Sequence, residues 1–190
     1  MDVVKSKVAA AKIQELLSEW KIEGTTQDID LKTKELYKAC LLAAGATGLR
    51  NGKVKQDFFL MHALTSVLFV HKLAHALPPS YAVSLLTSHL GATLAYYISR
   101  GRPQINVEAL MNYRGKHPLD SSNPWLSMVK RAIETDDVHI TKVVRSCALG
   151  DLLFGAEESY SHLLLNTAQI ALDLKGDWEF EGVGWRETWE

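Results

Sequence analysis

The chain has 190 residues, 47% of them hydrophobic, so it can bury a core without disulfides or metals to staple it. Its 21 Lys and Arg against 22 Asp and Glu leave a formal charge of −1, which gives no electrostatic footprint for nucleic acid or for an anionic membrane. The two cysteines, Cys40 and Cys147, fall inside separate helical patterns, as expected for free buried thiols in a reducing, cytoplasmic compartment and not for a secreted disulfide scaffold.

Apolar residues recur at helical spacing along most of the chain and nowhere alternate as in a strand. The pattern predicts a single all-α domain over residues 1–190. Its plan is a multi-helix array around a buried central antiparallel helix pair, with an extended, Trp-rich C-terminal tail. Residues 3–20 are amphipathic, and the charges of Lys5, Lys7, Lys12, Glu15 and Glu19 interrupt any secretory signal. After Gly24-Thr25-Thr26 a second helix is expected over residues 29–44, capped by Asp28 or Asp30. Gly45, Gly48, Asn51 and Gly52 mark a turn region.

A long helix follows over residues 53–77, stopped by Pro78-Pro79, and another over 80–100, ended by Gly101 with Pro103 beyond. These two should pack antiparallel. Residues 80–99 carry no charge over twenty positions, the length of a membrane span. Ser80, Ser84, Thr87, Ser88, His89 and Thr93 make that stretch too polar for lipid and suit a helix enclosed by other helices. A short helix (105–113), a loop (115–124) and two helices (125–135 and 138–154) come next. Asp136-Asp137 cap the second of these, and residues 157–174 form a last helix. The tail, 177–190, holds Trp178, Trp185 and Trp189, three of the five tryptophans, and is expected to dock in extended form.

Several familiar sites are missing. The segment from Gly48 to Val54 has one residue too few between its glycines for a P-loop and lacks the Ser or Thr after Lys53. No G-x-G-x-x-G follows a strand, so no Rossmann site is present, and G-x-S-x-G is absent too. His71 and His75 stand at i and i+4, the zinc spacing, but Lys72 occupies the place of the usual glutamate and no third ligand adjoins.

Two constellations remain. At 100° per residue Phe58, Phe59, His62, Thr65, Ser66 and Phe69 share one face of the long helix, with His71 and His75 on another. A histidine among phenylalanines needs partners for its ring nitrogens: a metal, a substrate or only a carbonyl. Downstream, His139 and Lys142 lie at i and i+3 among β-branched residues. A lysine in that setting is either neutralised, paired or carbamylated, or it snorkels to solvent.

The segments Asp57-Phe-Phe-Leu-Met-His62-Ala-Leu-Thr-Ser66, Leu77-Pro-Pro, Tyr96-Tyr-Ile-Ser-Arg-Gly-Arg-Pro103, His139-Ile-Thr-Lys142 and Gly-Val-Gly-Trp185 together resemble the questin oxidase-like family. That family comprises fungal oxidoreductases of aromatic-polyketide secondary metabolism, including mycotoxin biosynthesis. The resemblance runs from about Val54 onward and implies oxygen-dependent, Baeyer–Villiger-type opening of an anthraquinone-like ring. It implies His62 and Lys142 as catalytic residues and His62, His139 and Lys142 as ligands of a non-haem iron. Phe58, Phe59, Thr65, Ser66 and Phe69 would bind the aromatic substrate. Dioxygen would be co-substrate, and NADPH stays open as electron donor although no Rossmann motif holds it. Family chains resemble one about twice this length, so this sequence resembles their C-terminal half, to be completed by an N-terminal half or a second subunit. A noncatalytic helical module for a small apolar ligand or a partner subunit is the competing expectation.

Overall fold

In the computed structural model, which describes residues 6–119 and 122–190, the chain winds around one apolar helix, α3 (Phe58–Ala76). Before it come α1 (Lys7–Glu19), α2 (Thr26–Gly45) and three two-residue strands, β1 (Leu49–Arg50), β2 (Lys53–Val54) and β3 (Gln56–Asp57). After it come α4 (Pro79–Ser99), α5 (Val107–Met111), α6 (Pro124–Ile133), α7 (Val138–Phe154), α8 (Glu158–Leu174) and β4 (Trp178–Glu179). The fold is therefore essentially all-α. Residues 3–5 of the expected first helix and residues 120–121 of the expected loop lie outside the described residues.

Helix α3 buries Leu60, Met61, Ala63, Leu64, Thr65, Val67, Leu68, Val70 and Ala74, on more than one face, against α2, α4 and α7. Among the described residues it is the helix long and apolar enough, by length and composition, to cross a membrane. The companion helix α4 runs antiparallel to it, bringing Tyr96 to Phe59 and His89 to Ser66. Burial is uneven between the two: α4 hides only Ala82, Leu86 and Thr93. Ser80, Ser84 and Ser88 are exposed, not enclosed as the uncharged stretch suggested, and the Ser84 hydroxyl donates back to the Ser80 carbonyl at 3.0 Å.

Two boundaries differ from expectation. The cap of α2 is Thr25, whose hydroxyl accepts the Asp28 amide at 3.2 Å, so the helix begins earlier than Ile29 and Asp28 falls in its first turn. The long helix begins at Phe58, not Lys53, because Asn51 (φ 50°) and Gly52 (φ 75°) adopt the left-handed pair of a tight hairpin turn joining β1 to β2. Asp57 then caps α3, its Oδ1 accepting the amides of Phe59 and Leu60 at 3.0 and 3.1 Å.

The tail closes over this cap. β4 pairs parallel with β3, Gln56 to Trp178 and Asp57 to Glu179. The Gly184 amide donates to the Arg100 carbonyl at 2.9 Å, so the backbones of residues 100–101 and 184 touch. A Cβ built on Gly184 would stand 2.5 Å from that carbonyl oxygen, which is why two glycine-containing segments meet here. Only part of the tail is extended; it ends in a 3-10 turn over Glu187–Trp189, with the Trp189 indole donating to the Val183 carbonyl at 2.9 Å.

Candidate active site

Helix α3 carries His62 one turn beyond the Asp57 cap. Its Nδ1 lies 2.7 Å from the Phe58 carbonyl oxygen. A carbonyl only accepts, so Nδ1 carries the proton and the lone pair sits on Nε2. In the first turn of α7, His139 is held the same way by Asp137, whose Oδ1 accepts both the His139 amide and its ring Nδ1 at 2.8 Å. The other oxygen of Asp137 accepts the Trp178 indole at 2.5 Å. Partial burial alone would raise the Asp137 pKa, but these three donors outweigh it and hold the carboxyl below its ordinary value.

The two imidazoles come together, ring centroids 5.4 Å apart. Phe58 backs both, 4.6 Å from the ring of His62 and 5.0 Å from that of His139, and Phe180 of the tail backs Phe58 at 4.7 Å. No described residue engages either Nε2. This is the arrangement by which proteins orient metal-binding histidines: one ring nitrogen fixed by a protein acceptor, the other free. Among the described residues no third His, Cys, Asp or Glu joins the pair.

Beside His62 opens a cleft of about 450 Å³ between α3, α4 and α7. His62, Thr65, Ser66 and Phe69 line it from α3, His89, Thr93 and Tyr96 from α4, and Lys142 and Arg145 from α7. Thus five of the residues singled out in the sequence share one wall or its rim. Phe58 and Phe59 do not line it: Phe58 packs under the histidines, and Phe59 stacks on Tyr96 at 6.1 Å beneath the Arg100 guanidinium. Lys142 is exposed, so of the alternatives its sequence setting left open the amine that reaches solvent is the one seen. Helical period sends Ile140, Val143, Val144 and Cys147 inward and leaves Lys142 and Arg145 on the open side.

His89 enters the site without having been singled out in the sequence. Its Nε2 lies 2.8 Å from the Ser66 Oγ, and because Ser66 donates its one proton to the His62 carbonyl at 2.7 Å, it accepts from the imidazole. Burial lowers the His89 pKa, so the ring is neutral at neutral pH. Beneath it Cys40 stands 3.8 Å from the Thr93 hydroxyl, and burial pushes this thiol up to about 12, which leaves it inert as a nucleophile. A signal for His89 was present: Ser66 and His89 are equidistant from the Leu77–Pro78 turn, as are Phe59 and Tyr96. Arg145, Asp137 and Trp178 gave no comparable signal.

His71 and His75 lie apart from this site. His75 Nε2 pairs with Asp30 at 2.6 Å, the two rings are 4.5 Å apart, and burial lowers the His71 pKa.

Residues 1–147 match the questin oxidase-like family. The chain belongs to that family. The match takes in α1 and α2 and stops within α7, whereas the resemblance read from the sequence began near Val54 and ran into the tail. A Baeyer-Villiger oxidase of Emericella nidulans is 30% identical over 155 residues, 79% of this chain and 34% of the relative. A Baeyer-Villiger oxidase of Paecilomyces divaricatus is 26% identical over 148 residues, 76% of this chain and 32% of the relative. An oxidoreductase of Aspergillus parasiticus is 26% identical over 133 residues, 68% of this chain and 26% of the relative. This questin oxidase-like chain therefore spans about a third of the length of the curated relatives it matches. Of the segments that carry the resemblance, Asp57, His62 and Arg100 meet at the start of α3, and Gly101 lies against Gly184 and Trp185 of the tail.

Proposed function

We propose that this chain forms part of an oxygen-dependent oxidoreductase that oxidises or opens an aromatic polyketide ring of the anthraquinone kind. The observation that carries the reading is the His62–His139 pair, both rings fixed through Nδ1 and both Nε2 atoms unengaged, with His62 lining the cleft walled by Phe69 and Tyr96 and His139 standing behind it on a neighbouring pocket. Family membership and the likeness to Baeyer-Villiger oxidases support oxidoreductase chemistry.

The donor set fits two positions of a non-haem iron, with His62 and His139 as this chain's imidazole ligands. Such an ion, when bound, supplies the one-electron steps that let dioxygen react with an aromatic ring. Lys142, on the cleft rim, serves as base or, carbamylated, as an oxygen ligand; further ligands come from outside this set. Thr65 and Ser66, whose protons go to the His62 carbonyl, offer hydroxyl oxygens as acceptors toward the ring substituents, while neutral His89 backs Ser66 as a donor. NADPH would have to reach the site from another segment or chain.

Elemental analysis of anaerobically purified protein, followed by iron(II) titration, tests this. We expect iron uptake that falls more than roughly tenfold in affinity in His62→Gln and in His139→Gln. Protein that takes up no iron(II) and consumes no oxygen with an anthraquinone substrate would sink the reading.

One observation favours a noncatalytic binding module instead. Leu126 and Ile133 of α6 are 64% and 69% exposed, an apolar stripe suited to a partner surface. A metal-free protein that binds a partner through α6 would favour this alternative.

A further inference from the structure

Arg145 is one of two cations, with Lys142, that line the cleft without a counter-charge among the described residues. Its guanidinium lies over the Phe69 ring, 5.6 Å from the centroid, on the rim opposite α4. Among the described residues no acid pairs with Arg145 or with Lys142, one turn earlier, and no Asp or Glu lines the cleft. Arg100, the other arginine near the α3–α4 hairpin, is committed to Asp57 and to the Phe180 carbonyl. Buried Ala63 and Leu68 give the cleft an apolar base beside buried Thr65, Thr93 and Ser146, with Ala92 and Tyr96 at its exposed edge.

The cation–π contact places the guanidinium over the Phe69 ring, and its fork of N–H donors matches the two oxygens of a carboxylate. A flat ring against Ala63, Leu68 and Tyr96 would carry an attached acid toward this fork. We propose that the cleft takes a planar aromatic ligand bearing a carboxylate, with Arg145 as the residue that reads the carboxylate. This inference rests on the reading of the cleft as the ligand site and specifies the class of ligand. It does not require Lys142 to be charged.

The test uses two probes of one shape, 2-naphthoate and 2-naphthalenemethanol, titrated calorimetrically into the whole chain. We expect naphthoate to bind roughly tenfold tighter than the alcohol, with the preference shrinking as salt rises. Arg145→Gln should abolish the preference while leaving alcohol affinity and thermal midpoint unchanged, and Arg145→Lys should retain only part of it, since an ammonium lacks the fork. Arg186→Gln, an exposed site paired with Glu190, should change nothing. Ala92→Trp, which fills the cleft, should block both probes. Equal affinities in the parent, or a preference that survives Arg145→Gln, would overturn the role of Arg145 and leave the cleft reading intact. Binding of neither probe, or binding unaffected by Ala92→Trp, would overturn both.

Discussion

Arg100 Nε donates to Asp57 Oδ2 at 3.1 Å, with the Asp57 carboxylate wholly buried and the arginine side chain 13% exposed. The pair joins the start of α3 to the end of α4, and the Val183 amide adds a third segment at 3.3 Å. A buried ion pair is poor evidence for net stability, but losing one partner leaves the other charge stranded. Arg100→Gln should therefore lower stability by about 3 kcal/mol, read by chemical denaturation. Binding of an aromatic probe in the cleft should stay at the parent level under native conditions. A large loss of binding at unchanged stability would place Arg100 in the ligand site instead.

Asp137→Asn removes the carboxylate that fixes His139, accepts the Trp178 indole and caps α7. The amide oxygen keeps part of the cap, so stability should fall by about 1 kcal/mol. Iron(II) affinity should fall roughly tenfold or more, because the imidazole loses its orienting acceptor. Unchanged metal affinity would mean that His139 is no ligand.

His89 makes the protein sensitive to mild acid. Its folded pKa is depressed by burial, so the unfolded state binds the proton more readily. Stability should therefore be fully present above the ordinary histidine value of roughly 6.5 and decline as pH falls below it toward the folded value. Thermal midpoints from pH 8 to 5 check this. His89→Gln should flatten the profile across that interval; a slope unchanged by the substitution would assign the effect elsewhere.

His71→Gln with His75→Gln should leave iron content and turnover near parent values, since this pair sits on another face of α3 and His75 is tied to Asp30. The exposed ion pair contributes at most about 1 kcal/mol. Loss of metal here, with His62→Gln unaffected, would move the metal centre to this face.

Lys142→Arg keeps the charge but neither forms a carbamate nor gives up a proton near neutral pH, so turnover of an anthraquinone substrate should vanish with helix content intact. Lys142→Ala should regain activity with added propionate if the carbamate is the working form. Parent-level turnover in Lys142→Arg removes this residue from the mechanism.

The helices were legible because their stop signals are local. Pro78-Pro79 fixes the α3–α4 turn, and Asp137 gives α7 the same bounds that periodicity predicts, Val138–Phe154. The grouping of His62, Thr65, Ser66 and Phe69 was legible for the same reason, one face of one helix. The start of α3 was not, because apolar periodicity runs on through Val54 while the Asn51-Gly52 turn and the pairing of β3 with β4 impose strand geometry. The exposure of Lys142 was left undecided because its apolar neighbours in sequence point to the opposite side of α7. His89 and Arg145 become site residues only through contacts between helices, which no single-helix pattern encodes.

The clasp at Asp57 also sets an order of events during synthesis. The carboxylate is made early, yet its arginine follows 43 residues later and its third amide partner 126 residues later. A ribosome extending the chain by roughly 5–20 residues each second thus exposes α3 for several seconds before its first turn can settle. Through that interval the most apolar helix of the protein has an unfinished end, and His62 has no fixed neighbour in Phe180 or His139. A nascent-chain chaperone, or simple delay of collapse, would act on this window, so truncations upstream of Val183 should aggregate where point substitutions in the cleft do not.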